Sequence, residues 1–390
     1  MKKKTNHSQT EVSDIVRHYL SKVSNKNHSV DQLRVLHSVV NCRTAVLGGH
    51  QRSCTSCGYK EQSYNSCLNR HCPKCKGGAV FDWIEARQKE LLEVPYFHVV
   101  FTTPSELKAI FFQNKKVCYD LLFQAATETL HLVAKNNKGV TLGYFGVLHT
   151  WNQELQYFPH LHFVVPGCGL TKEKQFKSLG NSRYFLPVKV LSKVYQGKLI
   201  FYLKKAYADG KLKFFNNQTH LDNPQEFNHQ MSRATTQNWV VYAKPPFAGP
   251  QAVVRYLSSY THRVGISNHR IRKVTDTHVS FSARHKTKPG KKILVTISIE
   301  DFIRRFMLHI LPSKYRRVRH YGFLCNSEKA HSLETLKNQR ITATSVVKKA
   351  LIQCPQCKIS SFTSYLSLKA HRPGKILEFR QNPPEHPPPG

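Results

Sequence analysis

Acidic side chains are scarce in this 390-residue chain: 23 Asp and Glu stand against 59 Lys and Arg, a formal net charge of +36. The shortage is sharpest between Phe227 and Ile299, where Asp276 is the only carboxylate. Such an excess of cations calls for polyanions, and phosphate backbones are the usual partner. The same shortage argues against chemistry by carboxylates converging on two metal ions. No apolar run reaches the length of about 18 residues that a membrane-spanning helix needs. The start, Met1-Lys-Lys-Lys-Thr-Asn-His, is basic but no apolar stretch follows it. No secretory signal is therefore expected, and the chain is expected inside the cell without a membrane partner. There is no GxxxxGK[ST] loop to hold nucleotide phosphates. What is present is 40% hydrophobic and 11% aromatic residues, enough for two or three domains with at least one sizeable core.

Eleven cysteines in a reducing compartment point to metal or free thiols rather than disulfides. Six of them fall between Cys42 and Cys75 and define an N-terminal module. Cys54-x2-Cys57 and Cys72-x2-Cys75 are two knuckles separated by a loop, the pattern that brings four thiolates around one tetrahedral Zn²⁺. Cys67 is the first alternate ligand, and His71 and His50 are further ones. Cys354-Pro-Gln-Cys357 is a lone knuckle, although His371 lies beyond it, and a weaker indication of metal.

Apolar spacing predicts a helical lead-in over residues 12–40, then helices over Val80–Leu92, 115–135, Leu199–Ala208 and Glu300–Ile310. Strands are predicted over Tyr96–Thr103, Gly143–Trp151, His160–Val165 and Gln237–Ala243, with Val279–Ala283 and Ile293–Ile297 flanking a Lys-Pro-Gly-Lys turn. Strands mixed with helices, without regular βαβ alternation, indicate an α+β catalytic domain. The proline-rich end from Asn382 to Gly390 is expected to be disordered. The expected division is 10–95 for a zinc-binding domain, 96–330 for the catalytic domain and 331–390 for a C-terminal extension.

Two short motifs carry chemistry. On a strand, His160 and His162 project to one face while Leu161 points to the other, which offers two imidazoles to one metal ion. Buried imidazoles in so apolar a strand need something to satisfy them. A third ligand is expected, with Gln153 favoured and His149 and Glu154 as rivals. The ion is expected to be Mg²⁺ or Mn²⁺, nitrogen ligands tilting toward Mn²⁺. Tyr256 and Tyr260 sit four apart, one turn on a helix. A stripe of core aromatics is the ordinary explanation for that spacing, but the flanks are Arg255, His262, Arg263, His269, Arg270 and Arg272. A His pair with paired tyrosines suits cleavage of a phosphodiester that is then held as a phosphotyrosine.

The strings GGHQRSC, YNSCLNRHCPKC, HTWNQELQYFPHLHFVVPG, YAKPPFAGP, RYLSSYTHRVGISNHRI and DFIRRFMLHILPSKYRRVRHYGFL occur in order over roughly residues 10–330. In these the chain resembles the transposases of the IS91 insertion-sequence family. The resemblance implies an HUH endonuclease fold, a central antiparallel sheet flanked by helices, preceded by a small zinc-ribbon-like domain. It implies that His160 and His162 are the HUH pair, that Tyr256 and Tyr260 are nucleophiles of the two-tyrosine type, and that a structural Zn²⁺ occupies the Cys54–Cys75 region. Many relatives carry His directly before the proline of the HUH segment, where this chain has Phe158. The implied activity is nicking and rejoining of single-stranded DNA at transposon ends, by rolling-circle transposition. The implied partners are single-stranded and duplex DNA at ends and target together with host replication machinery, in a bacterial cytoplasm at the nucleoid. Arg255, Arg263, Arg270, Arg304, Arg305, Arg316, Arg317 and Arg319 are expected to line the DNA path. A rolling-circle replication initiator shares this chemistry. A zinc-dependent DNA-binding regulator explains the charge but leaves the His pair and the tyrosines unexplained.

Overall fold

The structure is a computed structural model that describes residues 10–22, 28–75, 90–179, 186–244, 253, 264–285, 287–288, 290–325, 327–338, 354–358, 362–368 and 379–382. In chain order the elements begin with α1 (Val12–Lys22) and α2 (Val30–Asn41), then the hairpin β1 (Gly49–Cys54) and β2 (Lys60–Tyr64). There follow β3 (Tyr96–Thr102), α3 (Lys108–Gln113), α4 (Lys115–Lys138), β4 (Gly143–Trp151) and β5 (Tyr157–Pro166). A small hairpin, β6 (Cys168–Leu170) and β7 (Phe176–Ser178), precedes α5 (Val188–Ala208), α6 (Pro224–Thr235) and β8 (Val241–Lys244). The remainder is β9 (Ile271–Val274), β10 (His278–Arg284), β11 (Lys292–Ser298), α7 (Ile299–Leu308), β12 (Val318–Gly322), α8 (Lys329–Asn338), β13 (Phe362–Leu368) and β14 (Phe379–Asn382). The architecture is α+β. Of the helix expected over Val80–Leu92, residues 80–89 lie outside the described ones and Glu90–Leu92 are not helical.

The chain forms two compact units, one drawn from residues 1–80, 266–310 and 347–390, the other from 81–265 and 311–346. In the first, Val12, Ile15, Val16 and Tyr19 make the buried face of α1. Ser29 caps α2: its hydroxyl accepts from the Gln32 N–H, and the Gln32 side chain accepts from the Ser29 N–H. β13 pairs antiparallel with β1, giving a four-stranded sheet in the order β14-β13-β1-β2. A second antiparallel sheet, β11-β10-β9, leads into α7, whose first turn is capped by Ser298 accepting from the Asp301 N–H. The Val12 N–H donates to Asn268 Oδ1 at 3.2 Å and His18 Nε2 meets the Asp276 carbonyl at 3.0 Å, which ties α1 to this part of the chain.

The second unit is built on a five-stranded sheet in the order β12-β4-β5-β3-β8, with every neighbouring pair antiparallel. Period-2 alternation separates its faces. Phe97, Val99 and Phe101 of β3, Tyr144 and Leu148 of β4, and Leu161, Phe163 and Val165 of β5 share the main core with α4 and α5. Each fully buried aromatic there contributes about 1.5–3 kcal/mol of burial free energy. On the opposite face, Tyr96, Phe145, Val147 and Val164 pack with Leu91 and Val253. Gly146 permits this layering, since a Cβ there would fall 2.4 Å from the Phe163 ring. α4 ends at Gly139, in the left-handed conformation that glycine adopts at low cost.

Candidate active site and metal centres

The face of the central sheet opposite α4 and α5 carries the histidines. Antiparallel pairing sets His149 directly across from His160, and places His162 between Val147 of β4 and Val100 of β3. Residues i and i+2 share a face, so His160 and His162 point to the same side as His149. One ring nitrogen from each of the three lies within 4.8 Å of the others. His149 and His162 are buried and His160 is partly buried. Gln153, the favoured third ligand, lies in the turn between Trp151 and Tyr157, where Leu155 takes a positive φ of 60°. Glu154 lies in the same turn and is not part of the cluster.

Hydrogen bonds fix what each imidazole can do. His160 Nδ1 lies 2.7 Å from the Phe158 carbonyl oxygen, an acceptor only, so Nδ1 carries the hydrogen and donates. The lone pair of His160 is then on Nε2. Phe158, where many relatives carry histidine, therefore acts on the pair through its main chain. His162 Nδ1 lies 2.8 Å from His98 Nε2 of β3, with the two rings stacked at 5.1 Å and 6°. If Nδ1 of His162 donates, its Nε2 is likewise left as a lone-pair donor to metal. His98 was not singled out by motif. Its place at the buried-polar position of the apolar strand YFHVVFT is the signal that it shares. Burial pushes His160 down to about 4, the Phe158 carbonyl pulling weakly the other way, so the ring is neutral at neutral pH. A set of imidazole nitrogens fits a first-row divalent ion and suits Mn²⁺ better than oxygen-preferring Mg²⁺.

The cysteines form two clusters in the first unit. Sγ atoms of Cys42, Cys67, Cys72 and Cys75 lie within 4.8 Å of one another, and so do those of Cys54, Cys57, Cys354 and Cys357. The expected set of Cys54, Cys57, Cys72 and Cys75 is thus divided. Cys54 and Cys57 lie at the tip of the β1–β2 hairpin, whereas Cys72 and Cys75 close on Cys42, the C-cap of α2. The alternate Cys67 belongs to the second of these groups, 3.3 Å from Cys75, while His50 and His71 belong to neither. Burial pushes the Cys42 thiol up to about 12, with its contact to Cys75 acting the same way. Thiols so placed ionise together only around a cation, and four sulfurs fit a structural Zn²⁺.

Tyr256, Tyr260, Arg255 and Arg263 lie outside the described residues. The other arginines divide by role. Arg319 is ion-paired with Asp120 and covers the Phe123 ring at 4.4 Å. Arg270 donates to the Ser282 carbonyl at 2.8 Å and covers Phe281. Arg304 and Arg305 both pair with Asp301. Arg317 accepts a main-chain bond from the Leu148 N–H at 3.0 Å, and Arg316 is exposed. An open cleft of about 1010 Å³ runs along β12, with Lys116, Lys314, Arg316, Arg319 and Lys329 in its wall and, among the described residues, Asp120 as its one carboxylate. Among the described residues no helix is long and apolar enough to cross a membrane.

A profile described as a transposase zinc-binding domain matches residues 12–103, and one described as a putative transposase matches residues 143–331. The chain is 40% identical over 368 residues to the putative transposase y4qJ of Sinorhizobium fredii, which covers 89% of this chain and 92% of that relative. It is 27% identical over 303 residues to the transposase for insertion sequence element IS801 of Pseudomonas savastanoi pv. phaseolicola, covering 76% and 70%. Among solved structures, the metal-bound conjugative relaxase TrwC in complex with oriT DNA aligns at 11% identity over 63% of this chain and 72% of that one. Its TM-score of 0.22 is too low to bear on the fold or the site.

Proposed function

The chain belongs to the IS91 family of transposases, and from that premise we propose that it nicks and rejoins single-stranded DNA at transposon ends through a 5′-phosphotyrosine. The observation that carries the reading is the convergence of His149, His160 and His162 on one sheet face. A divalent ion held by these three would polarise the scissile phosphate and offset the charge that develops on it. The protein's own part is orientation. The Phe158 carbonyl holds His160 by Nδ1 and His98 contacts Nδ1 of His162, an arrangement that directs Nε2 of each to the ligand when Nδ1 carries the hydrogen. Val253, three residues before Tyr256, is buried among Phe145, Val147 and Val164 on the histidine-bearing face, which supports bringing the tyrosine segment to the same side.

In the proposed step a tyrosine oxygen attacks phosphorus, a new Tyr O–P bond forms and the P–O3′ bond breaks. The tyrosyl proton is lost and the departing 3′ oxygen ends as a hydroxyl. One ester bond replaces another, so rejoining needs no ATP, in keeping with the lack of a nucleotide loop. A phenol with a pKa near 10 needs cations around it to react at neutral pH, and the basic flanks of Tyr256 and Tyr260 suit that need. The free 3′-OH primes host replication, and the second tyrosine serves strand transfer at the target. The β12 cleft offers Lys314 and Arg316 to the DNA backbone.

The test incubates full-length protein and Tyr256→Phe, Tyr260→Phe and doubly substituted variants with end-derived single-stranded DNA and Mn²⁺. Covalent protein–DNA adducts are expected from the parent and lost in the double variant. An adduct that persists in the double variant overturns the assignment, and salt-sensitive binding without cleavage by the parent favours a regulator instead.

A further inference from the structure

We propose that Cys54, Cys57, Cys354 and Cys357 bind a second structural Zn²⁺, a site whose ligands come from the two ends of the chain. The zinc-binding-domain match stops at residue 103, so half of this ligand set lies outside it. The four Sγ atoms lie within 4.8 Å of one another, with Cys54 3.6 Å from Cys357 and Cys57 3.7 Å from Cys354. Four sulfurs about 2.3 Å from one zinc sit roughly 3.8 Å apart along the tetrahedron's edges, so both cross-chain distances match the edge of a ZnS₄ centre. A disulfide would need about 2.05 Å.

The two knuckles also fold alike. The Gly58 N–H donates to the Cys54 carbonyl and the Lys358 N–H to the Cys354 carbonyl, each at 2.9 Å. The residue after each second cysteine turns left-handed, Gly58 at φ 71° and Lys358 at φ 65°. Glycine does this freely, whereas lysine pays for it, so the turn at Lys358 is held by its surroundings. Those surroundings are set by β13, which pairs with β1 from Gly49↔Leu368 to Cys54↔Phe362. The pairing carries the Cys354 turn to the Cys54 turn across nearly the whole sequence. Cys54 and Cys354 are buried, so their thiolates have no water to stabilise their charge and a dication supplies that role. Zinc here fastens the C-terminal segment to the edge of the N-terminal hairpin.

The experiment counts zinc by elemental analysis in purified full-length protein carrying His160→Ala and His162→Ala, so that the histidine site contributes none. Two zinc ions per chain are expected, all in four-sulfur coordination by zinc K-edge absorption, and one remains after Cys354→Ser with Cys357→Ser. One zinc in the His160→Ala, His162→Ala background with all cysteines intact, or two retained in the serine variant, overturns the proposal. If the serine variant does not fold by circular dichroism, Cys357→His decides the matter, because histidine remains a zinc ligand. It should keep two zinc ions with nitrogen newly visible in the absorption spectrum, and an unchanged all-sulfur spectrum overturns the proposal.

Discussion

Replacing His98 isolates one hydrogen bond at the heart of the site. His98 is 4% exposed and His162 8%, so neither ring can exchange its partner for bulk water. For His162 to offer Nε2 to a metal its Nδ1 must carry the hydrogen, and in His98→Ala that hydrogen loses the acceptor 2.8 Å away. Leaving a buried donor unsatisfied costs about 1–3 kcal/mol. The ring escapes that cost by rotating toward another acceptor, which takes Nε2 away from the ligand position. Outer-shell substitutions of this kind weaken metal binding about 10–100-fold, which is about 1.4–2.8 kcal/mol and the same size as the penalty. Mn²⁺ titration by calorimetry is therefore expected to show Kd rising by about that factor. His98→Phe separates the bond from the packing, since it keeps a ring to stack on His162 but offers no acceptor. It should recover thermal stability lost by the alanine variant while binding Mn²⁺ no better. His98→Gln, whose side-chain oxygen accepts, should recover part of the affinity. A phenylalanine variant that binds Mn²⁺ as tightly as the parent refutes the reasoning.

Gly322→Ala is expected to destabilise the second unit, because Gly322 has φ 58° and an added Cβ would fall 1.6 Å from the Leu142 carbonyl oxygen. Overpacking costs about 1–3 kcal/mol and the backbone strain adds to it, measurable as a lower denaturant midpoint. Glu128 of α4 receives hydrogen bonds from Lys198 and Tyr202 of α5. Burial pushes its carboxyl up, but those partners outweigh it and hold it below its ordinary value. A depressed folded pKa means stability present above the unfolded value of 4.5 and lost as pH falls through the folded one. Urea midpoints at pH 7 and pH 3 should accordingly differ more in the parent than in Glu128→Gln, and equal differences count against the pairing. Lys314→Ala with Arg316→Ala should weaken single-stranded DNA binding and flatten its salt dependence by about 0.7 per lost phosphate contact, whereas Arg319→Ala, paired with Asp120, should lower the melting temperature as well.

What the sequence made legible follows the range of the interactions involved. Alternation along PHLHFVVP exposes the His160–His162 pair because the strand's period is two and its other face is apolar. The hairpin between β4 and β5 is equally local. His149 became the third histidine through register: only the pairing His149↔His160 shows that residues eleven apart face each other. Gln153 lies in the turn around Leu155 that joins the two strands. Cys42 belongs with Cys67, Cys72 and Cys75 because α2 ends beside them, a tertiary fact that CxxC spacing does not carry. The lone knuckle at Cys354 lacked a partner for the same reason, its counterpart being reached only through the β1–β13 pairing. Residues 266–310 likewise join the first unit across a long sequence gap, which no composition shift marks.

The most direct test of the central claim locates the protein end of the covalent bond. Wild-type protein is reacted with end-derived single-stranded DNA and Mn²⁺, digested with nuclease and trypsin, and mapped by mass spectrometry. Cleavage after Arg255 and Arg263 releases the peptide Tyr256–Arg263, which contains both tyrosines. A 5′-nucleotide ester is expected on Tyr256 or Tyr260 within that peptide, and none when His160 and His162 are replaced by alanine. A nucleotide on any other peptide, or cleaved DNA with no adduct, contradicts it.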